Sequence, residues 1–214
     1  MTSDFTFFIS AFSAIFSIVN PVSGVMAFIS LTSHMSRTDR IYVAKRSAVI
    51  GCMVAIIFAI MGELILSFFN ITPDSLRVAG GILLFLVALD MLFARTTRES
   101  ITSEEISDAV KRENISVFPM SMPMLTGPGA ITTIILFTTK AVDYNIDPLL
   151  GKIIVIGAIL LTFLITFLIF RFSDNFNRVA GITGMMLMTR LMGLFLGAIA
   201  VEFISVGIKN IFLI

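Results

Sequence analysis

Residues 5–33 form a run of 29 positions without a single charge. Built as one straight α-helix, such a run is about 43 Å long, against a bilayer hydrocarbon core of about 30 Å. Near its middle it reads Asn20-Pro21-Val22-Ser23-Gly24. The proline removes a backbone donor and the glycine loosens the helix. Over-length and interruption together predict a broken or re-entrant membrane helix. Composition agrees: 57% of the chain is hydrophobic and 14% charged, against about 45–50% and about 25% in soluble domains. The charges fall between long apolar blocks or sit singly inside them, which excludes a soluble globular monomer and points to a polytopic helical membrane protein.

The remaining blocks give a count of six spans. A second is expected at 47–69, with Glu63 as its only charge, and a third at 76–94, with Arg77 near its start and Asp90 near its end. Residues 96–114 are the most polar stretch. Residues 115–139 are again charge-free and over-long, and again interrupted, by Pro119, Pro123 and Thr126-Gly127-Pro128-Gly129-Ala130. A fifth span is expected at 153–170, a semi-polar interfacial linker at 171–188, and a sixth span at 189–208 carrying Arg190 and Glu202. Connections after spans one, three and five hold Arg37, Arg40, Lys45, Arg46, Arg95, Arg98, Lys111, Arg112, Arg171 and Arg178, ten of the 15 Lys and Arg residues. By the positive-inside rule these connections are cytoplasmic and both termini face the periplasmic side.

The halves correspond. Pro21 matches Pro128, Arg77 to Gly80 matches Arg190 to Gly193, and Asp90 matches Glu202 after one residue of slippage. Three spans per half make the second half inverted in the membrane. The expected fold class is therefore all-α: six transmembrane helices as two inverted-topology repeats of three, residues 1–94 and 115–214, joined by a cytoplasmic polar loop at 95–114, with helices 1 and 4 broken or re-entrant. Interrupted helices at matching places in inverted repeats are the sequence mark of a secondary transporter with a site at mid-depth. A break frees amides and carbonyls, each costing several kcal/mol if it faces lipid, so it must be buried or line a polar cavity. A half-helix N-terminus, carrying about +0.5 charge, suits a carboxylate, and the opposite end suits an amine. A zwitterion fits a pair of such breaks. Candidate substrate-binding residues are Asn20, Pro21, Ser23, Gly24, Thr126, Gly127, Pro128 and Gly129, with the Thr132 and Thr133 hydroxyls beside them. An ordinary proline kink, with hydroxyls bonded back into their own helices, is the structural alternative.

Arg77, Asp90, Arg190 and Glu202 are candidates for ion pairing or coupling. Each acid lies twelve or thirteen residues from the arginine of its own span, about 20 Å along the helix, so pairing must cross between helices: Asp90 with Arg190, and Glu202 with Arg77. Snorkelling is the alternative for the arginines. Gly193 and Gly197 form a small-xxx-small pattern expected to pack against another helix. One histidine, His34, and one cysteine, Cys52, provide neither a metal cluster nor a disulfide, and no nucleophile–base set argues for an enzyme. A net charge of +1 gives no reason to expect nucleic acid. The expected partners are a small solute and the lipid bilayer, with no cofactor beyond a coupling cation, Na+ or H+; self-association stays open. A passive channel and a non-transporting scaffold or regulator remain alternatives to a transporter.

Four motifs in order, Asn20-Pro21-Val22, Asp74-Ser-Leu-Arg77-Val-Ala-Gly-Gly-Ile-Leu83, Gly127-Pro128-Gly129-Ala130-Ile131, and Thr189-Arg-Leu-Met-Gly193 with Glu202-Phe-Ile-Ser-Val-Gly-Ile-Lys209, resemble the MarC family of bacterial inner-membrane proteins across nearly the whole chain. The resemblance implies six spans, an inverted repeat and, for one branch, transport of small neutral amino acids such as glycine and alanine. Family members usually read Asn-Pro-Val-Gly with a proline three residues on. This chain has Ser23, Gly24 and Met26 there.

Overall fold

The computed structural model describes residues 2–32, 35–93 and 116–212, and within them the chain is helical. The expected cytoplasmic loop at 95–114 and His34 lie outside the described residues. Helix α1 spans Thr2–Val19 and α2 Pro21–Thr32; α3 runs Arg37–Phe68 and α4 Pro73–Leu92. A π-helical segment at Ser116–Leu125 leads into α5, Pro128–Lys140, and a 3-10 turn at Ala141–Tyr144 precedes α6, Pro148–Arg171, and α7, Ser173–Phe212.

Local chemistry sets these boundaries. Ser36 caps α3 by accepting from the Asp39 amide, Thr72 caps α4 at Ser75, and Asp147 caps α6 at Leu149 and Leu150; Pro73 and Pro148 take first-turn positions where no amide is missed. Asn20, Asn70 and Asn145 all adopt positive φ, the left-handed region that asparagine tolerates best after glycine. At the end of α3, Asn70 lets the Ile71 amide reach back to the Leu66 carbonyl at 2.8 Å, the six-to-one bond of a Schellman cap.

Among the described residues five helices are long and apolar enough to cross a membrane, in Ser3–Val25, Arg37–Phe68, Pro73–Leu92, Pro148–Arg171 and Thr183–Phe212. Residues 116–140 are split into two pieces of ten and 13 residues, each shorter than a span by itself. Two expected boundaries are corrected. Helix α3 begins ten residues before the expected 47, because Ser36 and Asp39 cap it, so Arg40, Lys45 and Arg46 lie on helix rather than loop. The expected linker at 171–188 is mostly helix: α7 starts at Ser173 and bends at Gly181, whose φ of 61° only glycine adopts freely.

Helices α4 and α7 pack along one another, as do α3 and α6, and α1 packs on α5, α6 and α7. Each corresponding pair is antiparallel. Arg40 bonds Asp174 and Glu63 bonds Lys152 along α3 and its partners; Asp74 meets Asn210 while Met91 lies by Gly193; the Phe7 ring meets Phe137 while Ile18 lies by Gly129. The Arg40 and Glu63 pairs are separated by 23 residues of α3, about 34 Å, close to one hydrocarbon thickness. The α4–α7 seam has two close approaches of the same form. A Cβ on Gly81 would meet the Ala200 carbonyl oxygen at 2.9 Å and the Ile204 amide nitrogen at 3.1 Å; one on Gly193 would meet the Ala88 oxygen at 3.0 Å and the Leu92 nitrogen at 3.1 Å. Residue numbers in the two trios differ by a constant 112. The glycine equivalent to Gly193 is thus Gly81, one residue after the expected Gly80.

Candidate functional site

Two interruptions lie at the centre. At the first, α1 ends at Val19, Asn20 turns with φ 46°, and Pro21 opens α2. Pro21 has no amide to give the Ser17 carbonyl, so the end of α1 presents carbonyl groups without helical donors. The opposite side of this break is capped by side chains. The Ser23 amide donates to Asn20 Oδ1 at 3.3 Å, Asn20 Nδ2 donates to Ser23 Oγ at 2.7 Å, and Ser23 Oγ shares a 2.5 Å hydrogen bond with Thr189 Oγ1 on α7.

At the second break, the Thr126 amide donates back five residues to the Ser121 carbonyl, Gly127 is extended, and Pro128 opens α5. Thr126 Oγ1 donates to the Gly51 carbonyl at 3.0 Å and Ser121 Oγ to the Ser47 carbonyl at 3.0 Å, fastening the π-helical segment to α3. No side chain caps α5, so the amides of Gly129 and Ala130, both buried, form an N-terminus with its partial positive charge uncompensated. The Thr132 and Thr133 hydroxyls donate to Pro128 and Gly129 carbonyls of their own helix at 2.9 Å.

The breaks are neighbours. A Cβ on Gly129 would lie 3.1 Å from Ile18 Cδ1 and 3.7 Å from Leu84 Cδ2. The carbonyl end of α1 therefore sits beside the amide end of α5, negative end against positive end. Asn20 and Ser23 are joined to Thr189, and Thr126 to Gly51; among the described residues no hydrogen bond links the side chains of one break to those of the other. Gly24 lies against Phe170, whose ring stacks on Phe28 at 4.8 Å.

The expected ion pairs are replaced by others. Arg77 is buried, yet not with Glu202: Nη1 donates to Asp74 Oδ1 at 3.0 Å and Nη2 to Asp143 Oδ2 at 2.6 Å, and Asn210 Nδ2 donates to the same Asp74 oxygen at 2.9 Å. The reason is position. Arg77 lies one turn into α4, level with the turn after α5, whereas Glu202 faces outward on α7. Among the described residues Asp90 and Arg190 form no ion pair with each other. Glu63 bonds Lys152 at 2.7 Å. Beside the Arg77 cluster, Lys140 Nζ lies 5.4 Å over Phe203, 5.8 Å over Phe137 and 6.0 Å over Tyr144, within cation–π range. Thr189, Gly51, Ile18 and Asp143 escape sequence reading, because each acts through a partner more than 60 positions away. Among the described residues no three His, Cys, Asp or Glu side chains group as a metal would need.

These features define a class: a multi-pass helical membrane protein whose two interrupted segments meet inside the bundle. A family model described as MarC family integral membrane protein matches residues 5–212. The chain is 39% identical over 207 residues to a UPF0056 membrane protein of Methanocaldococcus jannaschii, covering 97% of this chain and 98% of that one. It is 37% identical over 204 residues to a UPF0056 membrane protein of Aquifex aeolicus, covering 95% and 93%. Over 212 residues it is 37% identical to the membrane protein YhcE of Escherichia coli, covering 98% and 95%. The chain belongs to the MarC family. No solved structure matches it.

Proposed function

We propose that this protein is a secondary transporter of a small zwitterion, a neutral amino acid such as glycine or alanine, working by alternating access around the two breaks in the bacterial inner membrane. The observation that carries the reading is the contact of Ile18 with Gly129, which sets the carbonyl end of α1 against the uncapped amides of α5. A bound amino acid places its carboxylate on the Gly129 and Ala130 amides, as anions bind at helix N-termini. Its ammonium meets the carbonyls at the end of α1. Asn20 and Ser23 close the first break through Thr189, and Thr126 holds the second to α3.

The reading includes six crossings in two inverted repeats, with the split segment 116–140 as the fourth and both termini periplasmic. The antiparallel pairing of each corresponding pair of helices and the constant offset between the Gly81 and Gly193 contacts support it. So does the excess of Lys and Arg at the Arg40 end over Arg77, Lys140, Lys152 and Lys209 at the other.

The test is counterflow in vesicles of the purified protein. Labelled glycine or alanine should accumulate against an excess of the unlabelled compound inside, saturably, and Gly129→Val should abolish this while the protein still inserts. Flux that never saturates favours a channel, and no flux with any neutral amino acid favours a scaffold.

A further inference from the structure

This inference rests on the transport reading above and concerns the states through which its site is reached. The α4–α7 seam treats the halves alike, with a constant offset of 112 between equivalent contacts. The interrupted segments, matched by Pro21 and Pro128 at an offset of 107, do not follow the same symmetry. Gly80 on α4 lies against Thr132, four residues after Pro128. The equivalents of these two are Met192 and Val25, yet Met192 Sδ accepts from Ser17 Oγ at 3.8 Å, four residues before Pro21. The partner is displaced by eight residues, about 12 Å of helix, across the break. Leu84 and Gly129 are in contact, and their equivalents are Leu196 and Val22. Ser23, next to Val22, is instead bonded to Thr189, seven residues and about 10 Å along α7 from Leu196.

Two halves of one design that hold different contacts in one conformer have a second arrangement available, in which each adopts the contacts of the other. We propose that the protein alternates between this conformer and one in which Val22 packs beside Leu196 while Ala130 moves beside Arg77, the equivalents of Ser23 and Thr189. The exchange takes Arg77 away from Asp143 and separates Ser23 from Thr189. In the present conformer the cluster of Arg77, Asp74, Asp143 and Asn210 ties α4, the 141–144 turn and α7 together at the end where both termini lie. The exchange breaks that tie.

Cysteine pairs in a Cys52→Ala parent test this. Val22→Cys with Leu196→Cys should not form a disulfide in the present conformer, since bridging needs Cα atoms within about 7 Å, but should form in the opposite one. Ser23→Cys with Thr189→Cys should show the reverse. In vesicles both pairs should cross-link in part and reductant should reverse each bond; the fraction of the 22–196 bond, whose residues carry none of the side-chain hydrogen bonds of the break, should shift when glycine is added. An independent readout uses exposed sites: spin labels at Val142 and Ile211 should show two distance populations whose ratio moves with glycine. Exchange in the parent with no 22–196 bond, or with one unchanging 142–211 distance, overturns the exchange of contacts alone. No exchange in the parent overturns the transport reading and the two-state cycle with it.

Discussion

Gly193 and Gly197 share a small-xxx-small pattern, but their surroundings differ. A Cβ on Gly193 would sit 2.8 Å from Met91 Cβ, 3.0 Å from the Ala88 carbonyl oxygen and 3.1 Å from the Leu92 amide nitrogen, all on or next to the α4 backbone. None of these atoms can swing aside, so α4 and α7 must part by about half an ångström where Leu84, Ala88, Leu196 and Ala200 interlock. Overpacking of this kind costs about 1–3 kcal/mol, against a gain of about 1 kcal/mol for replacing a mid-helix glycine by alanine. Gly193→Ala should therefore lose up to about 2 kcal/mol net. On Gly197 the same methyl would meet only Ala88 Cβ at 3.5 Å, an ordinary contact, so Gly197→Ala should be neutral or stabilising by up to about 1 kcal/mol. Gly81→Ala, whose Cβ would meet Ile204 Cγ1 at 2.6 Å and the Ala200 oxygen at 2.9 Å, should match Gly193→Ala, and the double variant should cost less than the sum because both part the same two helices. Reversible unfolding by dodecyl sulfate in mixed micelles measures all four. Equal losses for Gly193→Ala and Gly197→Ala would refute the reasoning.

Other perturbations read out the site and the end cluster. Asn20→Ala removes a helix cap and replaces the side chain that best tolerates positive φ after glycine, so it should cost about 1–2 kcal/mol, and Asn20→Gly only a few tenths, in the same unfolding assay. Thr126→Val removes the second donor of the Gly51 carbonyl, which keeps its own helical partner in α3, and should cost about 0.5–1.5 kcal/mol; no change in the midpoint would show that the bond contributes nothing to holding the second break to α3. Asp143→Asn keeps one hydrogen bond to Arg77 while removing a charge that is partly exposed, so about 1 kcal/mol is expected, with a coupling to Arg77→Met that a double-mutant cycle should detect. Glu63→Gln, breaking an exposed pair with Lys152, should stay within about 0.5 kcal/mol.

The interruption at Asn20 was legible because proline and over-length act locally: a missing amide and a 29-residue run leave few ways to fill a bilayer. The same logic located the break at Gly127. The starts of α3 at Arg37, capped by Ser36, and of α7 at Ser173 were harder, since both helices run through polar residues that hydropathy assigns to loops. The partners of Arg77 were not legible. Spacing excludes an acid on the same helix at a distance, but it does not say which loop lies level with the arginine, and Asp143 comes from a turn 66 positions away. The one-residue error in matching Gly80 to Gly193 has a similar cause: sequence similarity weighted the two arginines, whereas packing is set by which glycine faces the opposing backbone.

The central claim is that the uncapped amides of α5, beside the end of α1, receive the solute's carboxylate. Nitrogen-15 spectra of the labelled protein in lipid nanodiscs, titrated with alanine, address it most directly. The Gly129 and Ala130 amide resonances should shift saturably and together, while the Gly24 amide, bonded to the Asn20 carbonyl at 3.1 Å, should move far less. Saturable alanine exchange with no movement at Gly129 or Ala130 would contradict the account.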